Sequence, residues 1–371
     1  MDKHRKKLLW IAGAVALLVL PLLLQWMGNF WVRIADFALL YVLLALGLNI
    51  VVGYAGLLDL GFVAFFAIGA YMYALMASPH LSNTFAWFAA TFPEGLHTSM
   101  WLVLPLGALI AGIFGAILGA PTLKLRGDYL AIVTLGFGEI IRVFLNNLDH
   151  PVNLTNGPKG IGQIDSITLF KFEWLGIPGV NLGRFIDIGD FRINSVTLYY
   201  YMFLALCVIS VVICHRLELS RIGRAWMAIR EDEIAAKAMG INTRNMKLLA
   251  FAMGATFGGV SGAMFAAFQG FVSPESFSLM ESVMIVAMVV LGGIGYLPGV
   301  ILGAVLLSAL PEVLRWVSGV MDLQSVTGGR LDPAILRQLL IALAMIIVML
   351  LRPRGLWPAP EHGKSLQQAG R

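Results

Sequence analysis

The stretch RLELSRIGRAWMAIREDEIAAKAMGINTRNMK, residues 216–247, is the one long polar interruption between apolar runs of this chain. The runs on either side, 195–215 and 248–272, reach the ~20 apolar residues that a helix needs to cross a bilayer. A membrane chain that gathers charge in one compact loop offers a handle to a soluble partner. Within the loop, 221–239 is rich in helix formers. Glu231, Asp232 and Glu233 precede Ala-Ala-Lys-Ala-Met, which puts negative charge at the positive end of a helix. Gly240 suits the left-handed position after the last turn, and Ile241 can fold back an apolar contact. This spacing predicts a short helix over 231–239. Ala235, Ala236 and Ala238 leave its surface low and smooth, a shape that fits a groove on another protein. The basic residues around it equally suit an anionic membrane surface, and both readings stand at this point.

Working outward, the 371 residues are 59% hydrophobic and 13% charged, against ~25% charged in soluble domains. Apolar runs cover 8–27, 34–52, 54–77, 100–120, 129–147, 195–215, 248–272, 280–296, 298–314 and 335–351. The chain reads as an all-α integral membrane protein, a polytopic bundle of about ten transmembrane helices. Gly53-Tyr-Ala-Gly56 is either a tight turn or a break within one longer element. The short run 84–92, with Trp87, suits the membrane interface. The start, MDKHRKK followed by 8–27, has an apolar part longer than a signal core and no small-x-small site after it, so it reads as an uncleaved first span.

The formal charge of +5 invites a nucleic-acid reading, but the cations sit in short loops beside apolar runs, as orientation by the positive-inside rule requires. Lys3, Lys6, Lys124, Arg221, Arg224, Arg230, Lys237, Arg352 and Arg354 fall on one side when both termini are cytoplasmic, and fewer fall on the other. The expected organisation is therefore a cytoplasmic basic segment 1–7, a membrane domain 8–351 and a cytoplasmic tail 352–371, with 149–194 an outer loop and 216–247 an inner one. The outer loop contains β-like pieces, SITLFKFEW and FIDIGDFRI, consistent with a small hairpin or with plain connection. Cys207 and Cys214 share one apolar run and read as buried thiols.

Small residues recur every four positions at Gly107, Ala111, Gly115, Gly119 and at Gly254, Gly258, Gly262, Ala266, Gly270. Such stripes permit close helix approach in lipid; they line a moving path or pack a static interface. Charges inside spans are rarer. Arg33 and Asp36 lie near the end of one run, as anchors. Asp59 lies in GLLDLGF, and Glu139 and Arg142 are spaced to pair on one helix face; they are candidates for a polar point on the path or for a helix tie. No phosphate-binding Gly-x-x-x-x-Gly-Lys loop and no clustered His/Cys ligands occur. The chain thus carries no catalytic constellation and no cofactor site of its own.

Glu-x-Ala-Ala-x-x-x-Gly at Glu233, Ala235, Ala236 and Gly240 resembles the ATPase-contacting loop of ABC importer permeases. From 223 to 265 the chain is similar to the longer permease of bacterial branched-chain amino acid ABC importers. Matching pieces are NIVVGYAGLLDLGFVAFFAIGAYMYAL (49–75), LKLRGDYLAIVTLGFGEIIRVFLNN (123–147), TNGPKGI (155–161) and MVVLGGIGYLPGVILGA (288–304). The general ABC loop's Ile-x-Leu-Pro ending is missing, as fits this subgroup. The resemblance implies a non-enzymatic subunit that pairs with a homologous second permease in the bacterial inner membrane. It implies two cytoplasmic ATPases that bind ATP, and a periplasmic amino-acid-binding protein. It implies import of leucine, isoleucine or valine by alternating access, with Glu231, Glu233, Ala235, Ala236 and Gly240 at the ATPase contact; relatives carry urea, amides or other amino acids. An ion-coupled secondary transporter working through Asp59 or Glu139, or a scaffold that transports nothing, are the rival classes.

Overall fold

A computed structural model of the chain describes residues 3–122, 125, 127–169, 180–184, 186–188 and 191–320, with isolated positions from 339 to 350 and the stretch 355–357. Its first helices are α1 (Lys3–Met27), α2 (Asn29–Asn49) and α3 (Val63–Met76). Two short helices, α4 (His80–Thr84) and α5 (Ala86–Ala89), lead to α6 (Met100–Thr122) and α7 (Asp128–Asn147). After the segment 149–194 come α8 (Ser195–Leu219), α9 (Arg221–Glu231), α10 (Glu233–Ala238), α11 (Thr243–Gln269), α12 (Leu279–Gly292) and α13 (Leu297–Val320).

The helical membrane fold is the expected one, but its elements are less uniform than ten equal spans. Among the described residues, four stretches are long and apolar enough to cross alone: Asn29–Tyr54, Met100–Thr122, Ser195–Leu219 and Thr243–Gln269. The runs 54–77 and 280–296 instead yield helices of 14 residues each. At ~1.5 Å per residue such a helix reaches about 21 Å, short of the ~30 Å hydrocarbon core. Glycine breaks cause the shortening. Past Asn49, α2 widens into a π-helical turn, Ile50–Tyr54, and the chain then runs without helix to Phe62. Gly53–Gly56 is therefore a break inside a longer apolar stretch. Gly293, Ile294 and Gly295 similarly part α12 from α13. The run 335–351 lies outside the described residues but for a few positions.

The core forms around α2 and α11. Helix α2 packs on α8, α11, α12 and α13, and α11 packs on α2, α3 and α6. The glycine stripes explain these contacts. A side chain at Gly254 would meet Gly47 and Val51 of the α2 stretch, while Gly258 and Gly262 lie against Phe65, Phe66 and Ala70 of α3. The adjacent face of α11, Ala255 and Gly259, meets Gly107, Ala111 and Gly115 of α6. Both stripes thus serve helix interfaces within the chain, except Gly270, which caps the end of α11 at φ +67°, because backbones without side chains between them come into direct contact where no hydrophobic drive separates helix from lipid. The opposite faces of α6 and α8 carry exposed Leu109, Ile113, Ile117 and Val208, Val212, one turn apart and apolar as a lipid-facing row requires.

The described part of the segment 149–194 is fastened at several points. Two antiparallel pairs form in it, β1 (Thr168–Leu169) with β2 (Val180–Asn181) and β3 (Ile186–Ile188) with β4 (Phe191–Ile193). The second pair is the hairpin expected from FIDIGDFRI. Ile161 bridges Val272 beyond α11, and Tyr199 Oη of α8 accepts from Ile167 N and donates to the Ala267 carbonyl at 3.0 Å. His97 Nδ1 bonds the Asp165 carboxylate, which raises the His97 pKa above its ordinary value.

Candidate functional site

The polar loop 216–247 is built by three successive caps. Ser220 ends α8 and its side chain accepts from Gly223 N at 3.1 Å to start α9. Helix α9 buries Trp226 and Ile229, three apart and so on one face, and the Trp226 indole donates to the Met246 carbonyl at 2.7 Å. Asp232 then leaves the helical region and caps α10, accepting from Ile234 N at 2.8 Å and Ala235 N at 3.1 Å. The expected helix over 231–239 is thus corrected: Asp232 divides it, so Glu231 closes α9 and only Glu233–Ala238 form α10. An acidic side chain competing for free backbone N–H groups favours a cap over helix continuation.

The end of α10 follows the expectation for Gly240, whose φ is +86°. Gly240 N donates to the Lys237 carbonyl and Ile241 N to the Ala236 carbonyl, both at 3.1 Å, the paired bonds of a Schellman cap. Asn242 begins α11 by accepting from Asn245 N. Lys247, only 5% exposed, places Nζ 2.7 Å from Glu233 Oε1. This buried ion pair fixes the first residue of α10 to the first turns of α11.

The loop therefore presents a short helix whose two sides differ. Ala236 is 4% exposed and turned into the chain, whereas Ile234 is 71% and Met239 83% exposed. Ala235 and Gly240 are exposed as well. Two large apolar side chains flank a low alanine surface on a polar loop, an arrangement that leaves apolar area for a partner to cover. Sequence reasoning missed the Lys247 anchor and the apolar pair. A lysine opening an otherwise apolar run was the available signal for the first.

The other candidates fall elsewhere. Asp59 is buried in the break before α3, with Oδ1 accepting from Gly61 N at 2.8 Å, beside Thr134 of α7, whose hydroxyl accepts from Leu60 N at 3.0 Å. Glu139 and Arg142 pair as expected at 3.3 Å, and Arg142 also reaches Glu275 at 2.8 Å. They tie α7 to the turn Pro274–Phe277. Arg33 bonds Gln269 and lies over the Phe37 and Phe268 rings. Asp36 is fully buried, and its oxygens have no hydrogen-bond partner among the described residues.

A cavity of about 550 Å³ lies between α2, α12 and α13, within the ~300–1,000 Å³ range of small-molecule sites. Phe37, Met284, Met288 and Leu307 give it apolar walls, and Arg33 and Glu281 also line it. Tyr41 Oη donates to Glu281 at 2.9 Å across the helices. Neither the cavity nor this pair was visible in the spacing, since it depends on which faces of α2 and α12 meet. Among the described residues no group of His, Cys, Asp and Glu is placed to hold a metal ion.

Residues 30–349 match the family model described as branched-chain amino acid transport system / permease component. The chain is 41% identical to the high-affinity branched-chain amino acid transport system permease protein LivM of Escherichia coli K12, over 93% of this chain and 74% of that relative. It is 26% identical to the permease protein LivH of Salmonella typhimurium, over 87% of this chain and 93% of LivH. The probable permease protein LivM of Methanocaldococcus jannaschii is 24% identical over 86% of this chain and 90% of its own length. No solved structure matches.

Proposed function

The chain belongs to the family of permease components of branched-chain amino acid transport systems, and from that premise we propose that it is the LivM-type half of an ATP-driven importer of leucine, isoleucine and valine. Its partners are a homologous second permease, two cytoplasmic ATP-binding subunits and a periplasmic binding protein. The assembly sits in the inner membrane with both ends of this chain in the cytoplasm. The observation that carries the reading is α10, a capped helix with a low alanine face and exposed Ile234 and Met239. It docks in a groove of an ATPase. ATP binding closes the ATPase pair, α10 moves with the groove, and the bundle alternates between outward and inward openings.

An apolar substrate needs little charge along its way, only transient polar partners for its amino and carboxylate groups. The cavity between α2, α12 and α13, with apolar walls and the polar Arg33, Tyr41 and Glu281, suits such a passage. The ion-coupled alternative draws no support from Glu139, whose partner is Arg142.

The test is a cysteine at Met239 in the co-expressed complex. Crosslinking from that position captures an ATP-binding subunit, and leucine uptake by vesicles holding the complex requires ATP. Capture of lipid alone, or uptake that collapses with an uncoupler and ignores ATP, removes the reading.

A further inference from the structure

Arg230, the next-to-last residue of α9, joins the inner loop to both glycine breaks of the membrane bundle. Its Nη1 donates to the Gly53 carbonyl at 2.6 Å. Gly53 lies in the π-helical turn that ends the α2 stretch, and a π turn inside a helix commonly marks a functional position. The turn leaves this carbonyl without its usual helical partner, because Leu57 N donates to the Val51 carbonyl instead. The guanidinium takes the vacant acceptor, and a bond to a charged donor is roughly twice as strong as a neutral one.

The same side chain borders the second break. A Cβ added at Gly295 would lie 2.7 Å from Arg230 Nη1, and one added at Gly56 would lie 2.8 Å from Arg230 Cγ. Both glycines have positive φ, +83° and +69°, so neither position accepts another residue without strain. The two breaks are also bonded to each other, with Gly295 N donating to Oδ1 of the fully buried Asn49 at 3.0 Å. Arg230 and the Glu233–Lys247 pair that anchors α10 line one cavity of about 160 Å³, together with Gly56 and Leu57. A displacement of α10 therefore reaches the breaks through few intervening groups.

We propose that Arg230 is a positioning residue that transmits movement of the inner loop to the hinges at 50–62 and 293–296. It does so by holding the Gly53 carbonyl, beside Gly295, whose own N–H is held by Asn49 of the first break. The proposal rests on the reading of α10 as the ATPase contact. Residues that absorb large backbone changes at the ends of elements are the usual hinges of domain movement, and short helices parted by glycines supply them here. Arg230 acts through the backbone that it holds.

The test uses the full complex in proteoliposomes, with leucine as the probe and three measurements: subunit recovery, ATP hydrolysis and uptake per complex. Arg230→Ala is expected to retain the ATP-binding subunits and their hydrolysis while uptake falls roughly ten- to a hundred-fold, the range for losing one hydrogen bond to a charged group. Arg230→Lys, which keeps a charged donor, is expected to recover part of the uptake. Gly295→Ala is expected to reproduce the Arg230→Ala loss, and the double variant to be no worse than either single one, as for residues acting through one contact. Normal uptake in Arg230→Ala overturns the proposal. So does loss of the ATP-binding subunits from that variant, or hydrolysis falling in parallel with uptake, since either makes Arg230 part of the loop's own stability. Absence of ATP-binding subunits from the wild-type complex overturns the importer reading instead, and the two failures are distinguishable.

Discussion

Removing the Glu233 carboxylate should free α10 from the body of the chain, and removing Lys247 should do so less. The asymmetry follows from exposure. Lys247 is 5% exposed and Glu233 25% exposed in their side chains, with 2.7 Å between the charged atoms. Glu233→Ala leaves an ammonium buried without its counter-charge, a change that costs about 3–5 kcal/mol in fully buried pairs. Glu233 is partly solvated, so about 2–3 kcal/mol is the expected figure at this site. At ~1.4 kcal/mol per tenfold that is roughly a 30- to 150-fold rise in the undocked population of α10. Lys247→Met leaves only a partly solvated carboxylate and should raise the population by about tenfold or less. The double replacement removes both charges and should undock α10 less than Glu233→Ala alone, because no charge is then left buried without its partner. Ala236 reports the population directly, being 4% exposed. A cysteine placed there is shielded when α10 is docked, and the natural Cys207 and Cys214 are buried. The rate of maleimide labelling of Ala236→Cys is the assay. Equal labelling in Glu233→Ala and in the parent, or a double variant labelled faster than Glu233→Ala, refutes the anchoring.

Gly240→Val, at φ +86°, should cost about 1–3 kcal/mol in local strain; uptake is lost while the chain still fractionates with the membrane, whereas Gly240→Asn, a residue that tolerates this region, is milder. Gly262→Leu drives a side chain into the backbone of α3 at Phe66 and Ala70. The yield of monodisperse protein on size exclusion should fall sharply, since overpacking alone costs typically ~1–3 kcal/mol and backbone cannot rotate away. For His97, the Asp165 bond raises its folded pKa. Its contribution is therefore fully present below the unfolded value of about 6.5 and lost as pH rises through the raised folded value. Both side chains are nearly half exposed, so the effect is under ~1 kcal/mol. The melting-temperature difference between the parent and His97→Ala should shrink from acid to alkaline pH, and a difference that grows instead contradicts the assignment.

The membrane class was legible because hydrophobic runs are a property of local sequence, and the small-residue stripes were legible because a period of four is helical whatever lies opposite. What lay opposite was not. The partner of Gly262 is a stretch of α3 backbone, and nothing in the spacing distinguishes such an interface from the wall of a path. Span lengths were misjudged for a related reason. Gly53 stands at the boundary of two apolar runs and Gly295 inside one, and neither interrupts the hydropathy, yet the first sits in a widened turn and the second has a left-handed φ. Hydropathy records transfer to lipid, and it does not record the direction of the backbone.

In the inner loop the cap at Gly240 was legible because only a residue without Cβ enters that conformation freely. The division at Asp232 was not, since an acidic residue between helix formers serves equally as a first-turn charge and as a cap. The choice between those roles is tertiary. With Trp226 and Ile229 buried on one side and Glu233 held by Lys247 on the other, a continuous helix over 221–239 could not satisfy both attachments unless their faces coincided. Trp226 and Glu233 are seven residues apart, about 20° from the same face in an ideal helix, so phase alone permits continuity. The break is the extended backbone of Asp232, φ −153° and ψ +110°, whose carboxylate caps α10 in place of helix continuation. The short helix that projects beyond the turn is placed by the Glu233–Lys247 pair, which fastens it to the start of α11.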